Sequence, residues 1–359
     1  MSSKDLTLII GGLRFAGWTD VEISRGLDEF SDAWSLRATT RWAVLEQRQR
    51  QLAIAIDRGD KAELWFGEIE ILRGWVEEID ERIKADVWTV TISGRSRAGD
   101  LVDCSAIAKG AWLQSSARQI ATDLVAPFGL IVRATLPELE VPIRRFAADA
   151  DETVADTLRR LGLTLGLRAR STPRGDVEFF RPAGGAVAAR SLAWGRNIRE
   201  IGRRRSDVER FSDYVTRVQV SADDDLHGAA ASIKVSVEDA GMLRHRPMRI
   251  HAERGGTADE LRRRAEWERN TRAGRSDTIE VDVYDAERTW LAGPTSTWEP
   301  GQMVTIYAPP LDLDGRLLIS AVTLGYGSAG WVARLALTHP EAYQPEIPPR
   351  KRKKGAYAW

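Results

Sequence analysis

The sequence predicts a mainly β protein with an α+β insertion: two β-barrel domains flank one small α+β domain. Two observations predict this class. Short apolar runs separated by turn residues about every ten residues fill the first and last thirds of the chain, which is typical of barrels and sandwiches. The middle third instead carries two helical patterns and a hairpin. Hydrophobic residues make up 43% and charged residues 29% of the 359 residues, as expected of a folded globular protein.

Residues 1–100 are predicted to form the first β-barrel domain. The run Leu6–Ile10 ends at the turn pair Gly11-Gly12, and later runs alternate apolar with polar residues in the same way. Further strands are predicted at residues 21–24, 34–37, 52–56, 63–66 and 87–92. Between 66 and 87 lie two more predicted runs, which Gly67 and Gly74 punctuate.

Residues 101–185 are predicted to form the α+β domain. Ser116 and Gln119 have the spacing of a capping box, and the helix that they open should stop at Pro127 and Gly129. A second helix should run from about Asp151 to about Gly162, with apolar residues on one face. Runs at 165–169 and 177–180 flank a turn at 171–176 and predict a hairpin.

Residues 186–345 are predicted to form the second β-barrel domain, with one helix inserted near 257–272. A capping box at 257–260 opens that helix, and Gly274 follows its predicted end. Residues 346–359 read as a Pro-rich basic tail. The strands of this domain are predicted at 214–220, 278–283, 303–307, 317–320 and 331–337.

The sequence indicates no enzyme, no cofactor and no metal. Formal net charge is zero, which argues against a dedicated nucleic-acid binder. One cysteine and four histidines without ligand spacing do not make a zinc site. The motif G-x-G-x-x-G at 325–330 joins two predicted strands, so it predicts a hairpin and not a nucleotide site. The acidic residues near 149–156 fit a helix N-terminus, and the arginines at 196–205 fit a solvated or interface-facing stretch.

Two features are candidates for contacts with other proteins. The chain has 13 Trp, a residue that anchors protein interfaces. Trp267 lies off the Leu261–Ala265 stripe of the inserted helix, so it is a candidate for a subunit interface, although it could equally cap its own domain. The tail carries five consecutive cations that could dock on an acidic neighbour, contact DNA or stay solvated: Arg350, Lys351, Arg352, Lys353 and Lys354.

Several segments together resemble one family, the Mu-type bacteriophage baseplate hub proteins. The most distinctive runs are residues 21–36 and 91–106, and the order and spacing of the others match too. The further matching segments are 127–130, 246–247, 265–268, 298–301, 317–319 and 339–343. The resemblance covers roughly residues 5–345 and leaves out the basic tail.

The resemblance implies a structural hub of a contractile tail, similar to the T-even phage hub and to the hub part of type VI secretion spike proteins. It implies a homotrimeric ring that joins the tail tube to the central spike and encloses the channel through which DNA leaves. The implied partners are the chain itself, the spike and the tube or adjacent baseplate proteins, with DNA only in transit and no membrane insertion. The implied location is the virion baseplate, after assembly in the host cytoplasm.

Two other functions stay open on the sequence alone. One is a tail-tip hydrolase that cuts cell wall, which would need a catalytic carboxylate pair or a Cys-His pair that the sequence does not suggest. The other is the hub of a non-viral contractile injection system, which the residues cannot distinguish from a virion part.

Overall fold

The chain is rich in strands, and its first and last thirds contribute strands to one central sheet. A computed structural model describes residues 6–41, 56–84, 87–107, 111–133, 135–149, 151–181, 187–219, 232–251, 258–284, 289–293 and 296–343. The predicted mainly β class with an α+β insertion is confirmed.

The described strands, in chain order, are β1 (Leu6–Ile10), β2 (Leu13–Phe15), β3 (Asp20–Gly26), β4 (Ala33–Arg41), β5 (Lys61–Phe66), β6 (Ile69–Trp75), β7 (Glu78–Lys84), β8 (Val87–Arg95), β9 (Trp112–Ser116), β10 (Val132–Arg133), β11 (Pro142–Phe146), β12 (Arg168–Ser171), β13 (Val177–Phe180), β14 (Leu192–Ala193), β15 (Ile198–Arg205), β16 (Asp213–Gln219), β17 (Ser232–Glu238), β18 (Pro247–His251), β19 (Asp277–Val283), β20 (Met303–Ala308), β21 (Leu313–Gly327) and β22 (Gly330–Thr338). The α-helices are α1 (Gly99–Asp103), α2 (Ala117–Val125), α3 (Val154–Thr164) and α4 (Ala258–Arg275). Short 3₁₀ turns cover Ala126–Phe128, Pro137–Glu140, Pro309–Leu311 and Pro340–Tyr343.

A central sheet joins the two ends of the chain. Its strands follow the order β15-β19-β22-β21-β3-β4-β8-β7, and every neighbouring pair is antiparallel. The 15-residue strand β21 makes this possible, because its first part pairs with β20 and its second part pairs with β22 and β3. Strands β14 and β20 branch from the sheet at β21.

One hydrophobic core lies between the central sheet and a smaller sheet of order β2-β1-β5-β6. Alternation along the strands selects the buried side: Trp34 and Leu36 are buried, whereas Ser35 between them is not. Trp290 is almost fully buried, and its indole N–H donates to the carbonyls of Gly325 (3.1 Å) and Val332 (3.0 Å). The core therefore binds residues from the first and last thirds of the chain into one body.

The α+β unit has its own core, in which α2 and α3 pack beside a three-stranded sheet of order β10-β13-β12. Ser116 Oγ accepts the backbone N–H of Gln119 at 3.2 Å, so the predicted cap of α2 is confirmed. Helix α3 begins at Val154 rather than near Asp151, because Thr153 Oγ1 accepts the N–H of Asp156 (3.1 Å) and caps it there.

A third unit consists of the sheet β17-β16-β18 and helix α4. The inserted helix is confirmed, but it continues to Arg275 instead of ending near 272. Gly274 is helical and lies against Ala342, where an added Cβ would come 2.2 Å from the Ala342 Cβ. Glycine at this position serves close packing rather than termination of the helix.

Most strands predicted from the sequence are confirmed, and the misses have physical causes. The hairpin at 325–330 is confirmed, because Gly327 pairs with Gly330. The strand predicted at 165–169 begins later, at Arg168, because residues 165–167 close the end of α3. The arginine-rich stretch 196–205 contains strand β15, and the run 52–55 lies outside the described residues.

Gly94 on β8 lies very close to the backbone at the end of β6. A Cβ at Gly94 would lie 1.9 Å from the carbonyl oxygen of Trp75, which is backbone and cannot move freely. We expect Gly94→Ala to lower the free energy of unfolding by about 2 kcal/mol or more, measured by urea denaturation. Gly202→Ala is the matched control, since nothing lies within 4 Å of its Cβ position, and it should change stability by less than about 0.5 kcal/mol. Equal losses in the two variants would contradict the close approach.

Candidate functional site

The three units meet at one carboxylate, Asp28, in the turn between β3 and β4. Arg275 at the end of α4 donates to Asp28 Oδ1 at 2.8 Å, and the Tyr343 hydroxyl donates to Oδ2 at 2.6 Å. From the α+β unit, Arg159 donates to the backbone carbonyl of Asp28 at 3.0 Å, and Arg168 lies 3.5 Å from Oδ1. Residues more than 300 positions apart are therefore joined through a single side chain.

Burial shapes the ionisation of the groups around Asp28. The pKa of the Tyr343 phenol is raised by burial and by its hydrogen bond to the Asp28 carboxylate. The pKa of Arg168 is lowered by burial, and Asp28 opposes that shift. The phenol therefore keeps its proton at neutral pH and donates it to the hydrogen bond with Asp28.

A cavity of about 220 Å³ with mostly polar lining residues lies next to this junction, between the turn after β3, the α+β unit and residues 299–300. Arg25 is almost fully buried there, and its Nε lies 3.1 Å from Asp32 Oδ2. Arg170 Nε donates to Glu178 at 2.9 Å, and Arg170 also donates to the Pro300 carbonyl. Burial raises the pKa of Asp32 to about 6, Arg25 opposes that shift, and the charge of Glu299 adds to it.

The two edges of the central sheet present charged strands. In the described part of the chain, β7 pairs only with β8, and β15 pairs only with β19 in a ladder. Strand β7 reads EIDERIK, with three acidic and two basic residues, and β15 reads IREIGRRR, with four arginines and one glutamate. Unpaired edges are templates for another strand, and charges on them limit indiscriminate pairing.

One face of the central sheet has small and polar side chains. It is the face opposite the core, and a groove of about 510 Å³ lies at its end beside the β21–β22 hairpin. Its residues follow the alternation of the strands, with Ser24, Ser35, Thr91, Ser93 and Thr323 on the face away from the core. Such a face has little apolar area to bury against a partner.

The structure places the predicted contact residues as follows. Trp267 on α4 is half-buried, and the Arg264 guanidinium stacks over its ring at 4.5 Å. Thr271 and Gly274, which follow it at helical spacing, are buried, Gly274 against Ala342. The basic tail, residues 350–354, lies outside the described residues.

The described residues assemble no metal centre. No group of three or more His, Cys, Asp or Glu side chains within those residues is arranged to hold a metal ion. In the acidic segment near α3, Glu152 is bound by Arg160 at 2.6 Å, which lowers the pKa of Glu152. Among the described helices, none has both the length and the apolar character needed to cross a bilayer.

Sequence reasoning missed the junction and one sheet edge, β15. Asp28 and Asp32 stand in a polar turn that looks like any other turn, and their arginine partners come from distant segments. Strand β15 carries charges on both faces, so it does not show the alternation that marks a strand. A run of charged residues next to a predicted strand was the one available signal for an edge.

Comparison with known families identifies three segments of the chain. Residues 5–96 match the N-terminal domain of Mu phage baseplate assembly protein GpP-like proteins, and residues 98–181 match the second domain of baseplate hub protein gp44-like proteins. Residues 257–346 match the fourth domain of Mu phage baseplate assembly protein GpP. The three matches follow the family order along most of the chain.

Individual relatives agree over nearly the whole length. The chain is 29% identical to baseplate hub protein gp44 of Escherichia phage Mu, over 98% of this chain and 93% of that protein. It is similar to the 43 kDa tail protein of prophage MuSo2 from Shewanella oneidensis, with a TM-score of 0.82, 26% identity, and 96% and 100% of the two chains covered. The tail protein of Neisseria meningitidis MC58 shares the fold, with a TM-score of 0.77, 18% identity, and 96% and 99% covered.

The buried carboxyl of Asp32 gives the junction a pH dependence. Because its pKa is raised to about 6 in the fold, the native state holds a proton that the unfolded chain releases near pH 4. The free energy of unfolding should therefore fall by about 1 kcal/mol between pH 5 and pH 7 through this group alone.

We expect Asp32→Asn to remove that part of the slope, measured as wild type minus variant in urea denaturation at pH 5, 6 and 7. Carboxylates with lowered pKa, such as Glu152, are common to both proteins and cancel in the difference. Asp314→Asn, at an exposed position, is the control and should keep the wild-type slope. An unchanged slope in Asp32→Asn would contradict the buried-acid assignment.

Proposed function

Because this chain belongs to the family of Mu-type phage baseplate hub proteins and is a structural component of the tail baseplate, we propose that it forms a homotrimeric ring. In this proposal the ring joins the tail tube to the central spike, encloses the channel for DNA and assembles in the host cytoplasm. It acts through its surfaces and catalyses no reaction.

The observation that carries the proposal is the even number of strands along the central sheet. Eight strands, each antiparallel to the next, leave two edge strands that run in opposite directions. When a second copy is placed beside the first by rotation about an axis, its β7 lies next to β15 and runs antiparallel to it. The alternation then continues from copy to copy, as a head-to-tail interface that closes by rotation requires.

The size of such a ring supports a channel. Three copies contribute 24 strands, eight from each. At about 4.8 Å between strands and a tilt of about 40°, their backbones enclose a circle on the order of 50 Å across. A second layer of sheet packs about 10 Å from the first, so placing β1, β2, β5 and β6 inside would narrow the space on every side. The second layer therefore belongs on the outside.

The uncovered face of the sheet then lines the channel. It carries serine, threonine, alanine and glycine with interspersed charges, such as Arg334 bonded to Asp282 at 3.0 Å. A wall without apolar patches or a dense basic surface gives passing DNA few places to adhere. This character suits transit better than binding.

Trp267 and the basic tail, the two contact candidates from the sequence, are also part of this proposal. The half-exposed ring of Trp267 is proposed to contact a neighbouring subunit. The basic tail, residues 350–354, is proposed to dock on an acidic surface of a neighbouring baseplate protein, such as the spike or a tube-proximal component.

Assembly state tests the proposal. Sedimentation equilibrium of the purified chain at micromolar concentration should give a mass of three times the 40.0 kDa chain. A closed ring should show a single species over a tenfold range of concentration, whereas open head-to-tail association would give a mass that rises with concentration. A stable monomer under these conditions would contradict the ring.

Trp267 gives a second measurement on the same assembly. We expect Trp267→Ala to weaken trimer formation by about 2 kcal/mol, seen as an increased dissociation constant, because tryptophans buried at interfaces act as hot spots. Trp267→Phe, which keeps an aromatic ring, should lose less. If Trp267→Ala trimerises like wild type and unfolds at the same temperature, Trp267 lies outside the interface.

A further inference from the structure

We propose that the subunits join by one β-strand register, in which β7 of one copy pairs with β15 of the next so that Ile83 lies opposite Ile201. The same register places Lys84 opposite Glu200 and Asp80 opposite Arg204. The inference rests on the proposed ring and specifies the surface and the second copy that close it.

The two edges match in length and in availability. Strand β7 has seven residues, Glu78–Lys84, and the part of β15 from Glu200 to its end at Arg205 has six, with Ser206 directly after it. Near its start, β15 is already occupied, because Ile198 forms a bridge with Trp194. The free part of the edge therefore begins just after Ile198, where the register places the end of the neighbour's β7.

Charge complementarity on the face away from the core selects this register. Arg204 on β15 pairs with Thr278 of β19, and Asp80 on β7 pairs with Thr91 of β8, which puts both on that face. Glu200, Lys84 and Arg204 are exposed, and none forms an ion pair within the described part of its own chain. Opposite charges directly across an antiparallel pair stabilise it, and like charges destabilise it.

The core-facing side supplies an apolar pair. Ile83 is 63% exposed on β7, although it lies on the side of the sheet that is buried in the inner strands. Ile201 on β15 is half-buried and lies on the same side, opposite Val281 of β19. Pairing of the two covers Ile83 and extends the core across the boundary between copies. Glu81 then lies opposite Arg203.

Shifted registers lose these contacts. A shift by one residue places core-facing side chains against the opposite face. A shift by two residues in one direction sets Arg82 opposite Arg204 and Ile83 opposite Arg203. A shift by two in the other direction sets Ile83 opposite Arg199 and Ile201 opposite Glu81. In both shifts by two, Ile83 faces an arginine.

Disulfide trapping tests the register directly. In a Cys104→Ser background, Ile83→Cys with Ile201→Cys places two Cβ atoms within the 4.5–5.5 Å typical of directly opposed residues. Mild oxidation of the assembled protein should give covalent dimers and closed trimers on non-reducing gels. Ile83→Cys with Gly202→Cys is the matched control, because residue 202 faces the other side of the strand, and it should cross-link at least tenfold more slowly.

Charge reversal tests the outer pairs. Asp80→Arg or Arg204→Asp alone should raise the trimer dissociation constant by at least tenfold, and the double variant should recover most of that loss. Arg82→Ala controls for the bond between Arg82 and Asp80 within β7, which measures 2.8 Å and is lost in Asp80→Arg.

The outcomes separate the register from the ring. A wild-type trimer that fails to cross-link at 83 and 201, or that cross-links equally at 202, overturns the register and leaves the proposed ring standing. A wild-type protein that is monomeric overturns the ring itself. A cross-linked dimer that never forms a closed trimer would indicate that β7 of one copy pairs with β7 of a second copy. That result would overturn both the register and the ring.

Discussion

The fold depends on the backbone pairing of β3 with β21. Strand β3 comes from residues 20–26, and its partner comes almost 300 residues later, at 321–326. Beyond the last pair, the N–H of Leu27 still donates to the carbonyl of Ser320 at 2.9 Å. Without this pairing the central sheet would divide into two shorter sheets, each with an additional exposed edge and half of a core. The shared core of Ile23, Leu324 and Trp290 exists only because the ladder holds the two halves together.

The ionic junction continues the same constraint beyond the sheet. The chain leaves β3 at Gly26 and at once presents Asp28 to Arg275, Arg168 and Tyr343, and a few residues later Asp32 to Arg25. A small buried cluster of Leu27, Leu318, Ala342 and Tyr343 lies beside these ionic contacts. The arginines add directional contacts to it, since a guanidinium has five N–H groups in one plane. Asp32 belongs to this network and is buried, and its burial disfavours the charged carboxylate and raises its pKa to about 6.

The sequence predicted those features that local patterns encode. Alternation located β1, β4 and β8, and a serine three residues before a glutamine located the start of α2. It did not reveal that β3 and β21 pair, because the apolar pattern of a strand does not specify which distant strand it pairs with. It also missed β15, because an edge strand in a sheet with one solvated face has few positions that must be apolar. Trp267 came from its position on the predicted helix face and the tail from its run of cations. The side chains that join the units, such as Asp28, are ordinary turn residues until their partners are placed.

The charge on β15 accounts for the kind of assembly that this sheet allows. Four of its eight residues are arginines and only one is acidic, so pairing of β15 with a second β15 sets most of the arginines against residues that cannot neutralise them. A two-fold dimer through this edge is therefore disfavoured. A partner strand must bring acidic residues and must run antiparallel to β15. Strand β7, at the opposite edge of the same sheet, does both: it carries three acids, and the even number of strands gives it the required direction. Strand β15 therefore disfavours a second β15 and fits β7 of another copy, which leads to head-to-tail association. A closed ring is the form of such association in which every edge strand is paired.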